Sequence, residues 1–89
     1  MESNSALTRR LRARLKPSAK GILALLRRYG KWGANTHDLL NVKYFDAKER
    51  PRVGCARYGA RLGELKAAGY KFETRYDSPG SYTYILRNR

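Results

Sequence analysis

The sequence predicts an α+β domain in which three helices are followed by one C-terminal β-hairpin, and two observations carry that prediction. Between residues 18 and 68 apolar side chains recur three times at helical spacing, with a capping residue or a glycine at the boundaries. After Gly69 the period changes to two, and YKFETRY and SYTYILR bracket the turn residues DSPG.

The first helix is expected from about 18 to 29. Ser18 is its candidate N-cap, Ile22, Leu25, Leu26 and Tyr29 follow the helical period, and Gly30 and Gly33 supply a stop and a corner. The second opens at Asn35 or Thr36, with Asp38 in its first turn and with Leu39, Leu40 and Tyr44 or Phe45 as its buried side. The polar segment DAKERPR, with Pro51, reads as a connection. The third helix is expected from about 53 to 68. Cys55, Tyr58, Leu62 and Leu65 form its inner stripe, whereas Ala56, Ala60, Gly63 and Ala67 leave the other side low, edged by Arg57 and Arg61.

In the hairpin Tyr70, Phe72, Thr74 and Tyr76 share one side, with Tyr82, Tyr84 and Leu86 in a similar register. Two strands alone are unstable in water, so the hairpin is expected to rest on the helices. Tyr29, Tyr58 and Tyr84 are expected to turn their rings inward, while Tyr76 and Tyr82 pack across the strands or brace a nucleic-acid backbone. Trp32, in GKWGAN, is expected as a core plug.

Residues 1–17 stand apart from the domain of residues 18–89. The run TRRLRARLKP gathers Arg9, Arg10, Arg12, Arg14 and Lys16, with Leu7, Leu11 and Leu15 every four residues. So short a helix is marginal alone, so a basic arm is expected that is loose when free and orders on a partner.

Charge narrows the function. Twenty Lys and Arg stand against seven Asp and Glu in 89 residues, a net charge of +13 and a pI near 10.5, which suits a polyanionic partner. Solubility alone needs a net charge of only about 2 to 8 in a small domain. The lone Cys55 cannot form an internal disulfide or a cysteine zinc cluster, so no cofactor or metal is expected. The start MESNSALTRR lacks a signal-peptide apolar core, and no apolar run approaches the roughly 20 residues of a membrane helix, so a cytoplasmic protein without a membrane partner is expected. His37 has no carboxylate pair at a useful spacing and Cys55 falls on the inner stripe, which argues against an enzyme.

Three helices and a hairpin in a basic chain resemble a winged helix-turn-helix domain. More narrowly, RYGARLGELKAAGYKFET followed by YTYIL resembles the small helix-turn-helix proteins of phages and prophages. Arg61, Leu62, Glu64, Leu65, Gly69, Tyr70, Thr74 and the strand Tyr84 to Leu86 occupy the matching places, and the resemblance covers about residues 20 to 87. The basic leader and the loop at 46 to 52 depart from it.

The resemblance implies a recognition helix at about 53–68 and a hairpin wing, acting on double-stranded DNA in the host cytoplasm or nucleoid. Arg52 and Arg57 are then the candidates for base contacts, because Arg can bond two acceptors on a guanine edge. Arg61 either joins them, pairs with Glu64 or anchors the hairpin. Lys48, Arg50, Lys71 and Arg75 are candidates for phosphates, as is Thr36 with the first amides of the second helix. The arm, with Arg9, Arg10, Arg12 and Arg14, would reach an adjacent groove. The expected function is control of phage or mobile-element transcription or recombination. The alternative is a winged-helix module that grips an acidic, nucleic-acid-processing host protein; RNA is a weaker variant, since the aromatic single-strand motifs are missing.

Overall fold

The structure, a computed structural model, describes residues 2–87. They form α1 (Glu2–Ala13), α2 (Pro17–Tyr29), a 3-10 turn (Gly30–Trp32), β1 (Ala34–Asn35), α3 (Thr36–Leu40), β2 (Lys43–Phe45), β3 (Pro51–Val53), α4 (Tyr58–Ala67), β4 (Phe72–Ser78) and β5 (Ser81–Leu86). The class is α+β, as expected. One antiparallel sheet has the order β1-β5-β4 and a second pairs β2 with β3.

α2 starts one residue earlier than its pattern suggested. Pro17 holds the first helical position, where its missing N–H costs nothing, and Lys16 rather than Ser18 precedes it as the cap residue. Ala19, Ile22, Leu23 and Leu26 face inward. Ile22 and Leu26 join Leu39 of α3 and Leu65 of α4 as the largest fully buried side chains of one core cluster. Each such burial contributes roughly 1.5–3 kcal/mol.

α3 is far shorter than the expected second helix. The Asn35 side chain accepts from Asp38 N at 2.8 Å, and the Asp38 carboxylate accepts from Asn35 N at 3.0 Å, a reciprocal cap that makes Asn35 the N-cap. The helix ends at Leu40, and Tyr44 and Phe45 lie instead in β2, opposite Arg52 and Pro51 of β3. The presumed connection is therefore the tip of an antiparallel ribbon. The ribbon can sit on α2 because of Gly21: a Cβ there would lie 2.5 Å from Tyr44 Cβ.

α4 begins at Tyr58 rather than near 53, because Pro51–Val53 is committed to β3. Gly54 N donates to Val42 O at 2.7 Å and Cys55 N to Leu40 O at 3.1 Å, closing the base of the ribbon between α3 and α4. Leu62 and Leu65 of α4 and the preceding Cys55 are buried, as expected of the inner stripe, with Tyr58 half-buried. The helix ends where Gly69 adopts φ 93°; Gly69 N donates to Lys66 O and Tyr70 N to Leu65 O, both at 3.0 Å, and buried Tyr70 and Leu65 complete this glycine stop.

The C-terminal hairpin does rest on the helices. Its register pairs Phe72 with Leu86, Thr74 with Tyr84 and Tyr76 with Tyr82, so the expected side is shared. The rings of Tyr76 and Tyr82 meet edge-on at 5.6 Å. β5 is the middle strand: β1 adds the pairs Ala34–Tyr84 and Asn35–Thr83. Thr83 and Ile85, on its other side, are the deeper residues because Gly33 presses on both; a Cβ at Gly33 would lie 2.7 Å from Thr83 Cγ2 and 2.8 Å from Ile85 Cγ1 and from Tyr84 O. Gly33 takes the place expected of Trp32. The 3-10 turn leaves that indole 76% exposed, with Lys31 Nζ 5.4 Å from its ring.

The leader, expected as a basic arm, meets the domain at its C-terminal end. It is helical over Glu2–Ala13, and its docking deepens along its length: Leu7 is exposed, Leu11 half-buried and Leu15 buried in the common core. No helix of the described residues is long and apolar enough to cross a membrane.

The two close approaches at glycine give a stability test. Gly21→Ala gains up to about 1 kcal/mol of helix propensity but overpacks Tyr44, and a net loss of about 1–2 kcal/mol is expected in urea unfolding. Gly33→Ala, which also meets φ 75° and a backbone carbonyl, is expected to lose more. A stabilised Gly21→Ala protein would show that the ribbon does not lie against α2.

Candidate nucleic-acid interface

The side of α4 turned away from the core is uncovered. Gly59, Ala60, Gly63 and Ala67 are exposed, as is Ala56 just before the helix. A Cβ added at Gly59 or Gly63 would meet nothing within 4 Å. Small residues commonly admit a neighbouring element, yet none of this protein's own described atoms occupies the space over those two glycines. The outer face expected from the sequence is thus present and vacant.

The cations around it differ in exposure and in the contacts they make. Arg57 is exposed at the N-cap position of α4. Arg61 is less open: its side chain is only 11% exposed, and Nη1 lies 2.7 Å from Glu64 Oε2, the pair named among its alternatives. That contact is off the hydrogen-bonding direction and leaves the buried Glu64 Oε2 without a hydrogen-bond donor. Arg52 is not at the start of the helix, as expected, but on β3, because the chain forms the ribbon first. Lys71 precedes the wing and is exposed, and Arg75 lies along β4, its Nε 3.6 Å from Asp77.

Thr36 is used internally. Its hydroxyl accepts from Tyr82 N at 3.1 Å and reaches Tyr82 O at 3.5 Å, tying α3 to β5, while the reciprocal cap of Asn35 and Asp38 occupies one of the first amides expected to meet a phosphate, that of Asp38. In the leader Arg9, Arg10 and Arg14 are exposed, but Arg12 is not free. Its Nε donates to Ala68 O at 3.0 Å and its guanidinium lies 4.2 Å from the Tyr70 ring centroid.

The ribbon tip is organised by one carboxylate. Asp46 Oδ1 accepts from Lys48 N and Arg50 N, both at 2.9 Å, and Oδ2 accepts from Arg50 Nε at 2.9 Å with Arg52 Nε at 3.3 Å. The backbone bond from Arg50, with help from the Lys48 amide and the two guanidinium groups, holds the Asp46 carboxyl below its ordinary 3.8 against a smaller opposing effect of desolvation. Lys48, Arg50 and Arg52 are therefore gathered on one short hairpin. Burial pushes the Tyr84 hydroxyl the other way, above 10.0.

Sequence reasoning missed the ribbon and with it the outward Phe45 and Val53. The paired triplets Lys43–Phe45 and Pro51–Val53 are too short to display a period, though the turn-forming DAKER between them was a signal. His37 borders an open groove of about 450 Å³ along α2, where its neighbour Asp38 already serves the cap. Among the described residues no three His, Cys, Asp or Glu gather into a metal-binding group. No family model, no curated protein and no solved structure matches this chain.

Two measurements check these contacts. Arg12→Ala should cost about 2 kcal/mol in urea unfolding, since it removes a charged hydrogen bond and a ring contact, whereas Arg10→Ala should leave stability within about 0.5 kcal/mol. Equal effects would mean that the leader is not fastened through Arg12. For Asp46, a depressed value means that its bonds persist above the ordinary carboxylate range and are lost as pH falls through the lower one. The Lys48 and Arg50 amide resonances should hold steady down to about pH 4 and shift together below it; movement at higher pH would contradict the loop geometry.

Proposed function

We propose that this chain is a winged helix-turn-helix protein that binds double-stranded DNA, with α4 entering the major groove and the β4–β5 hairpin as the wing on the backbone. The fold part of this reading rests on the order α2, β1, α3, α4, β4, β5 and on β5 lying between β1 and β4. The ribbon stands where a tight helix-turn-helix has a turn of three to four residues.

The observation that carries the binding part is the uncovered small-residue side of α4 in a chain of net charge +13. A groove about 12 Å wide admits a helix. Alanine and glycine let the helix backbone approach the base edges, and Arg57 at its entrance is the candidate for a guanine. Lys48, Arg50, Arg52, Lys71 and Arg75 then serve the phosphates, together with Arg9, Arg10 and Arg14 of the leader. The resemblance to phage and prophage proteins points to regulation of transcription or to an accessory role in recombination.

The test separates binding from stability. Gly63→Glu extends into open space and replaces a poor helix former, so the fold should gain up to about 1 kcal/mol. Duplex affinity should fall at least tenfold, about 1.4 kcal/mol, beyond the fall caused by Ala24→Glu, which adds the same charge on exposed α2. Wild-type affinity should decline with salt at a log–log slope of roughly −0.9 per neutralised phosphate. A flat salt response, or equal losses from the two variants, would sink the assignment.

A further inference from the structure

Phe45 and Pro51 face each other on the last rung of the β2–β3 ribbon before its loop. Strand alternation sends Lys43, Phe45, Pro51 and Val53 to one side, all exposed, while Tyr44 turns toward Gly21 of α2. Phe45 remains 68% exposed. A slip of one residue would exchange the two faces, yet the loop bonds lock this register. Asp46 N donates to Arg50 O at 3.0 Å, Glu49 N to Asp46 O at 2.9 Å, and the Asp46 carboxylate holds the amides of Lys48 and Arg50. The phenyl ring is thus presented outward on a braced support.

We propose that this tip is a DNA-kinking wedge: Phe45, backed by Pro51, enters between two stacked base pairs while Lys48, Arg50 and Arg52 hold the phosphates beside the opened step. The proposal rests on the duplex-binding reading above and deepens it. Apolar wedges of this kind partly unstack a base step and bend the duplex by roughly 20–90°.

Charge selects the occupant. Four cations, Lys43, Lys48, Arg50 and Arg52, share the ribbon with two acids, Asp46 and Glu49, and Asp46 is engaged by both guanidinium groups. A second copy of a chain of net charge +13 is repelled. A membrane surface asks for an amphipathic helix with a broad apolar face, whereas the tip offers one ring and one proline, the dimensions of a single base step. The bonds from Gly54 to Val42 and from Cys55 to Leu40 carry the ribbon on the segment leading into α4. Three residues per strand give the ribbon a length of roughly 10 Å, enough for its tip to stand clear of the strands' base.

The experiment uses the full chain and short mixed-sequence duplexes with a central TA or CA step, the steps that kink most easily. Dyes at the two ends report bending, and 2-aminopurine at the step reports unstacking. Wild-type protein should bring the ends together and raise 2-aminopurine emission. Phe45→Ala should abolish both signals and weaken binding roughly tenfold, as loss of one base–aromatic stack does, with an unchanged melting temperature because the ring is exposed. Phe45→Leu should keep the bend. Binding without bending, or the same bend from Phe45→Ala, overturns the wedge while leaving the role of α4 intact. Absence of salt-dependent duplex binding overturns both. Loss of binding to anionic phospholipid vesicles in Phe45→Ala, with DNA bending unaltered, assigns the tip to a membrane and overturns it too.

Discussion

Four side chains withdrawn from water, Ile22, Leu26, Leu39 and Leu65, are the point on which three helices turn. A domain of this length buries a modest fraction of its surface, and net stabilities of such domains are only several kcal/mol. Truncating one of these side chains costs about 2–5 kcal/mol, comparable to the whole. The core draws on α4 from one side alone, through Leu62 and Leu65, with Ala68 just beyond its end. That economy leaves the other side of the same helix uncovered, so the residues that hold the fold and those left open to solvent occupy opposite edges of a single element.

Charge imposes the next constraint. With twenty cations and seven acids, self-repulsion opposes compaction, and the acids are set where they organise the backbone. Asp38 caps α3, Asp46 shapes the ribbon tip, Glu64 meets Arg61, and Asp77 receives the Thr83 hydroxyl beside Arg75. Exposed pairs such as Arg87–Glu73, at 4.0 Å, add only about 0–1 kcal/mol. Their effect is on geometry: carboxylates fix loops and caps, and the cations they leave over form the outer surface.

The parts of this arrangement legible in the sequence are those where local period and tertiary packing agree. The stripes of α2 and α4, the stop at Gly69 and the register of Tyr76 with Tyr82 follow from spacing alone. β1 was illegible because it is two residues long and exists only by pairing with β5. The ribbon was illegible for the related reason that Lys43–Phe45 fits a helical continuation of α3 as well as a strand, and the decision rests on Tyr44 finding the gap at Gly21. Trp32 reversed its expected burial because the small Gly33, not the indole, fits against β5. At the candidate interface, the bare side of α4 and the pairing of Arg61 with Glu64, one turn apart, could be read off, but the engagement of Arg12 and Thr36 could not, since each depends on a partner distant in sequence.

Arg12 shows how one such contact alters the meaning of a whole segment. Its guanidinium donates to the carbonyl of Ala68, at the C-terminal end of α4, where the helix dipole favours a cation and the last carbonyls lack helical partners. The contact with Tyr70 places the same group against the residue that completes the glycine stop. A disordered arm would lose conformational entropy at the moment of binding, which lowers affinity for a given contact area. Contacts such as those of Arg12 and Leu15, which fasten the end of the leader to the domain, reduce that cost. Arg14 lies between the two anchored residues, and Arg9 and Arg10 are exposed on α1, so these three cations belong to the segment that Arg12 ties to the end of α4.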